Sequence, residues 1–178
     1  IGMDVDAAGL ITLKLMGRPV TPKSPDKIKR IISRLPGKFI LKGIMTVADA
    51  QAAVEAGAHA IVVSNHGGRV LDHTPGAAEV LSEIARAVKG RITILADGGV
   101  RSGGDVLKLL ALGADAVMIG RPIAVAAVGG QAAGVQKYLQ RIRSELAAAM
   151  VLTGTPSVTR VPPDILRPMN DPVLSSSR

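Results

Sequence analysis

The chain has 178 residues, 47% of them hydrophobic, enough for one domain with a buried core and too few for two. Its 22 Lys and Arg against 14 Asp and Glu leave a net charge of +8, but the cations are scattered rather than gathered on one stripe, which argues against a nucleic-acid surface. No cysteine is present, so disulfides and thiolate metal sites are excluded and a cytoplasmic setting is the default; no apolar run approaches the roughly 18 residues that span a bilayer.

The first residues, Ile1-Gly2-Met3-Asp4, carry neither an initiator methionine nor a cationic leader. The expectation is a piece cut from a longer chain and not a secretory precursor. Residues 1–3 read as the tail of a strand. Residues 25–35 predict a helix, with Pro25 at its start and Ile28, Ile31, Ile32 and Leu35 on one face. Residues 39–41, 60–63, 92–95 and 116–119 are short runs rich in Ile, Val or Leu, each too short for a helix, and predict buried strands. Helical patterns separate them. Residues 47–56 follow Thr46 as N-cap, 77–88 follow Pro75-Gly76, and 104–112 run from Ser102 to a C-capping Gly113. Gly129-Gly130 breaks the chain before a long helical stretch over 132–152, and from Pro156 to Ser175-Ser176-Ser177 the sequence predicts an irregular, frayed tail.

Strand then helix, four times over, is a parallel α/β layout. Phe39 and Tyr138 are the only aromatics, so the core must be built from Ala, Val, Ile, Leu and Met, which suits helices packed on parallel strands. A closed barrel of eight such units takes about 250 residues. The expectation is therefore half a (β/α)8 barrel in residues 1–155 with a tail over 156–178. Its open strand edges call for completion by a missing half, another chain or a symmetry mate.

Polar residues stand where each predicted strand ends: Lys42 after the first run, Ser64 and His66 after the second, Asp97 after the third, Gly120-Arg121 after the fourth. In a parallel barrel the C-terminal strand ends form the catalytic face. The loop Ser64-Asn65-His66-Gly67-Gly68-Arg69-Val70-Leu71-Asp72 sets an imidazole and a guanidinium three residues apart, a proton acceptor beside a carboxylate clamp. Asp97-Gly98-Gly99-Val100-Arg101-Ser102-Gly103-Gly104 runs into a helix and Gly120-Arg121-Pro122 opens another. Both put backbone N–H groups and an arginine where an anion can rest; the same glycines also serve as plain tight turns with solvated arginines. Lys42, closing an apolar strand, either answers an anionic partner or leans into solvent. His59 and His73 read as a residue leading into a strand and a turn residue, without a functional role.

Together, the runs Ile40-Leu41-Lys42-Gly43, Ser64 to Asp72, Asp97 to Gly103 and Leu112 to Pro122 closely resemble the FMN-dependent L-2-hydroxy acid dehydrogenase and oxidase family. That family includes glycolate oxidase, lactate oxidase and L-lactate dehydrogenase. The resemblance covers residues 1 to about 153 and implies the C-terminal half of the barrel: parallel strands 5 to 8 plus the end of strand 4. It implies FMN as cofactor and a small L-2-hydroxy acid oxidised to its 2-oxo acid; with the open strand edges, a homo-oligomer is expected. By motif, His66 resembles the base that takes the substrate proton, and Asp4 the aspartate that pairs with that histidine. Arg69 resembles the carboxylate anchor, and Lys42 the lysine beside the flavin N1 and C2 carbonyl. Ser64 resembles a flavin contact, while Asp97, Gly98, Gly99, Val100, Arg101, Gly120 and Arg121 resemble the ribityl and phosphate site.

Two departures qualify the carry-over. Gly2 stands where relatives often have a flavin-contacting threonine, and the two substrate-binding tyrosines of the family belong to its N-terminal half, whereas Tyr138 lies elsewhere. The chain alone is expected to be catalytically incomplete and to bind FMN weakly or not at all. Two rival readings remain: another FMN- or phosphate-binding barrel, such as type 2 isopentenyl-diphosphate isomerase or inosine-monophosphate dehydrogenase, and a non-catalytic half-barrel module. The His66 and Arg69 pair argues against the first. No metal is implied.

Overall fold

In the computed structural model, which describes residues 1–167, five parallel strands form one sheet in chain order: β1 (Gly2–Asp4), β2 (Ile40–Ile44), β3 (Ala60–Val63), β4 (Thr93–Ala96) and β5 (Ala116–Val117). Helices α1 (Ile11–Leu15) and α2 (Pro25–Ile32) join β1 to β2, and α3 (Val47–Glu55), α4 (Ala77–Val88) and α5 (Gly103–Ala111) make the later crossovers; α6 (Arg121–Leu152) follows β5. This is the expected half of a (β/α)8 barrel. Among the described residues no helix is long and apolar enough to cross a membrane.

Helices α2, α3 and α5 begin at capping hydroxyls. Ser24 Oγ accepts from Lys27 N, Thr46 Oγ1 from Asp49 N and Ser102 Oγ from Asp105 N, each satisfying an amide the first turn leaves open. The core lies between sheet and helices, with Ile61, Val63, Leu81, Val88 and Ile94 fully buried. β3 is buried along its whole length, as a strand covered on both faces must be.

Several boundaries differ from the sequence expectation, α2 among them, which ends at Ile32 and not at Leu35. β2 runs on to Ile44 because Gly43, at a φ of +94°, forms a bulge that lets Ile44 regain pairing with Val63; Lys42 thus sits inside the strand, not after it. β4 runs one residue further, to Ala96, which pairs with Val63. β5 stops at Val117, two residues early, because no further strand pairs with it. α6 begins at Arg121 and bends at Gln131, which has a φ of 49° and a ψ of −142°. A Cβ on Gly134 would collide with the Ala126 carbonyl. Residues eight apart in a straight helix are about 12 Å apart, so the second arm folds back on the first. Beyond it, a short 3₁₀ turn at Pro163–Ile165 lies against α5; the predicted fraying at Ser175-Ser176-Ser177 falls outside the described residues.

The second arm of α6 packs on α5 at Gly103, where a Cβ would collide with the Leu146 amide nitrogen. Gly103→Ala is expected to cost about 1–3 kcal/mol through overpacking. Gly129→Ala, where a Cβ meets nothing within 4 Å, should be neutral or add about 0.4–1 kcal/mol. Urea unfolding midpoints check both, and equal midpoints would rule out the tight helix crossing.

Candidate active site

Parallel register gathers charge at one end of the sheet. Asp4 is level with Lys42 across β1 and β2, and Lys42 with Val62 across β2 and β3. Lys42 Nζ lies 3.3 Å from Asp4 Oδ1 and 4.0 Å from Asp97 Oδ2, so the ammonium bridges the ends of β1 and β4. Asp97 Oδ1 is buried without a hydrogen-bond donor among the described residues. A buried carboxylate oxygen ordinarily has one.

A cleft of about 290 Å³ opens over these strand ends. Its wall includes Lys42, His66, Arg69, Asp97, Gly98, Gly99, Val100, Arg101, Gly120 and Arg121, together with Gly67, Met118 and Pro122, which the sequence reading did not single out. Ten of the twelve expected site residues therefore share one concavity. Ser64 does not: it is fully buried, and its hydroxyl accepts the His66 amide at 3.2 Å. It shapes the turn that presents the imidazole. Asp4 also stays outside the wall, held by Lys42.

His66 departs further from expectation. Its Nδ1 faces Asp6, at 3.3 and 3.4 Å from the two carboxylate oxygens, where the resemblance implied Asp4. The cause is the turn after β1: Val5 is already in the right-handed helical region and a 3₁₀ turn over Asp6–Gly9 carries Asp6 back toward the loop. Nothing in the spacing of Asp6 and His66 reveals that contact. The histidine itself sits at a φ of 58°. The other two histidines are structural: His59 Nδ1 accepts the Phe39 amide at 3.2 Å, joining the starts of β2 and β3, and His73 lies in a turn at a φ of 60°.

The two helix N-termini proposed as anion seats are not equivalent. At α5 the Arg101 and Ser102 amides donate to Asp105 Oδ2 at 3.1 and 3.0 Å, and the Gly103 amide to Glu145 Oε2 at 2.9 Å. That end is already closed by carboxylates. At α6 the N-cap Gly120 offers no side-chain cap, Pro122 contributes no amide, and Arg121 reaches over to the Gly67 carbonyl at 3.5 Å. The Arg69 and Arg101 guanidinium groups line the cleft without a partner among the described residues. Four cations face a single carboxylate there, and the α6 N-terminus adds its partial positive charge. The donor set fits a flavin mononucleotide: open amides and arginines for a phosphate, and the unpaired Asp97 Oδ1 for a ribityl hydroxyl.

The family model described as FMN-dependent dehydrogenase matches residues 6–168. The chain belongs to that family. It is 47% identical over 146 residues to a peroxisomal (S)-2-hydroxyacid oxidase of Arabidopsis thaliana, covering 82% of this chain and 40% of that protein. An L-lactate dehydrogenase of Xanthomonas campestris is 52% identical over 130 residues, 73% of this chain and 34% of its own length. Among solved structures, a mandelate oxidase superposes with a TM-score of 0.78 at 39% identity, covering 87% of this chain and 51% of that one. The chain thus spans well under half the length of these two curated relatives.

Asp105 supplies a pH-dependent lock at the rear of the cleft. Burial pushes its carboxyl up, but hydrogen bonds from the Ser102 hydroxyl and the Arg101 and Ser102 amides, with Lys108 nearby, outweigh this and hold it below the ordinary carboxylate value. A depressed folded value means that its stabilisation is present above the unfolded value and disappears as pH falls through the folded one. Asp105→Ala should therefore cost about 1 kcal/mol at neutral pH and progressively less in acid. Denaturant midpoints of both proteins from pH 7 to pH 3 check this; a constant difference would remove the carboxylate from the account.

Proposed function

We propose that this chain carries the base, the carboxylate anchor and much of the flavin wall of an FMN-dependent enzyme. The reaction is oxidation of an L-2-hydroxy acid, of lactate or glycolate size, to the 2-oxo acid. The observation that carries the reading is the convergence of His66, Arg69, Lys42 and Arg121 on one cleft at the C-terminal strand ends.

His66 takes the proton of the substrate hydroxyl through Nε2, the ring nitrogen not engaged by a carboxylate. Arg69 grips the substrate carboxylate with two parallel N–H donors. When bound, FMN supplies an acceptor for the electron pair leaving C2. Lys42, steadied by Asp4 and Asp97, sets positive charge at the strand end where the flavin ring gains negative charge. Gly99 and Gly120, whose Cβ positions are open, leave room for a cofactor's approach, and Arg101 and Arg121 hold its phosphate. Arg101 is braced from behind, its carbonyl accepting from Tyr138 Oη and Arg141 Nη2 at 3.2 and 3.1 Å.

The barrel part comprises residues 1–155 and the tail 156–178. Its partner is a complementary N-terminal half-barrel or a symmetry mate within a homo-oligomer, a reading supported by the unpaired edges of β1 and β5. A cytoplasmic setting belongs to the same reading and rests on the cysteine-free composition.

Titration of the chain with FMN, a hydroxy acid and an electron acceptor, with and without a complementary half, tests the proposal. Weak flavin binding alone and turnover with the half are expected; tight stoichiometric flavin on the chain alone would contradict incompleteness, and no flavin in either case would end the reading. In the completed barrel His66→Gln should lower turnover roughly 10²- to 10⁴-fold while sparing flavin. Arg69→Met should weaken substrate binding by about 1.5–3 kcal/mol, roughly 10- to 150-fold. Equal loss of flavin in both variants would refute the assigned roles.

A further inference from the structure

Two carboxylates stand beside the imidazole and the ammonium of this site, and the structure divides their work. Asp4 closes β1 and gives Oδ1 to Lys42 at 3.3 Å; its side chain is 40% exposed. Asp6, two residues on, is 14% exposed and gives both oxygens to His66 Nδ1 at 3.3 and 3.4 Å. An ionised carboxylate only accepts hydrogen bonds, so that contact requires the hydrogen on Nδ1. In the neutral ring Nε2, which has no partner among the described residues, is then left with the lone pair.

The place of Asp6 is built rather than incidental. A Cβ on Gly43 would lie 2.6 Å from Asp6 Cγ, so the bulge in β2 is the hollow that admits this carboxylate. A Cβ on Gly9 would lie 2.6 Å from Val70 Cγ1, so the 3₁₀ turn carrying Asp6 packs directly on the loop carrying His66. Ser64 fixes the histidine backbone from the other side. The donor atoms of Asp4, Asp6 and His66 lie within 4.8 Å of one another, but the Lys42 ammonium beside Asp4 repels a cation there.

The geometry points to Asp6 as the positioning residue of His66, fixing the Nδ1–H tautomer that leaves Nε2 basic, while Asp4 serves Lys42. This rests on the reading of His66 as the base and assigns that base its partner. The test is ¹⁵N NMR of the histidine-labelled 178-residue chain at alkaline pH, without flavin or hydroxy acid. The His66 resonances are assigned against His59→Gln and His73→Gln. Expected is a protonated-type shift for Nδ1 and a lone-pair-type shift for Nε2. Asp6→Asn and Asp6→Ala each remove that separation or invert it, and Asp4→Asn leaves it unchanged. An unchanged pattern in both Asp6 variants, or loss of the pattern in Asp4→Asn, overturns the assignment. Because no cofactor or turnover enters the measurement, its outcome is independent of whether the chain binds FMN.

Discussion

Parallel pairing in strict chain order is the constraint on which the rest of this molecule depends. Because all five strands run the same way, every strand's C-terminal end lies on one side of the sheet, and every loop leaving it can carry chemistry. Register then decides who meets whom. Met3, Leu41, Ile61 and Ile94 lie in one layer across four strands, and the last three are at most 2% exposed. One residue further along, the layer contains Asp4, Lys42 and Val62. Successive side chains point to opposite faces of a sheet, so the first layer packs toward the helices while Asp4 and Lys42 stand on the other face, with Lys42 only 21% exposed, where their fields are less screened than in water.

The rim is polarised by how the helix ends are capped. Asp105 and Glu145 saturate the first amides of α5, cancelling that helix as an anion seat, whereas α6 opens on Gly120 without a capping side chain. The proposed function would accordingly seat a phosphate at Gly120 and Arg121, with Arg101 as the second cation. The same carboxylates hold the Arg101 loop in shape, so closing one helix end helps aim an arginine at the other.

What the sequence reveals and what it conceals divide along the range of the interactions. Strand runs such as 60–63, the caps Thr46 and Ser102, and the C-capping Gly113 are set by neighbours within a few residues, and each was legible. So was the coincidence of polar residues at strand ends, ten of the expected residues lining one cleft. Long-range partnerships were not legible. The Gly43 bulge depends on the pairing of Ile44 with Val63. The contact of Asp6 with His66 spans sixty residues and depends on the helical turn at Val5. Ser64 carries the pattern of an exposed loop residue, yet ends fully buried because β3 is covered on both faces. The family resemblance named the aspartate expected beside His66, but a motif records residue types, not the turn that swings the next carboxylate into its place.

The sheet's edges give the strongest physical argument that this half-barrel is not a finished surface. β1 has three residues and β5 two, short enough to blunt edge-to-edge pairing, yet apolar side chains stand exposed beside both. Ile11, Leu15 and Met16 are 73%, 81% and 73% exposed on and just after α1, the helix that follows β1, and Val125 and Val128 are 71% and 89% exposed on the arm of α6 that follows β5. Scattered exposed hydrophobics are ordinary, but groups of them on the helices that follow the two edge strands mark surface that gains by being covered. A complementary half would pair both edges at once and cover both groups. Under the proposed function it would also add a wall opposite His66 and Arg69, the second surface that a substrate gripped by its carboxylate would need to fix the direction of its C2 hydrogen.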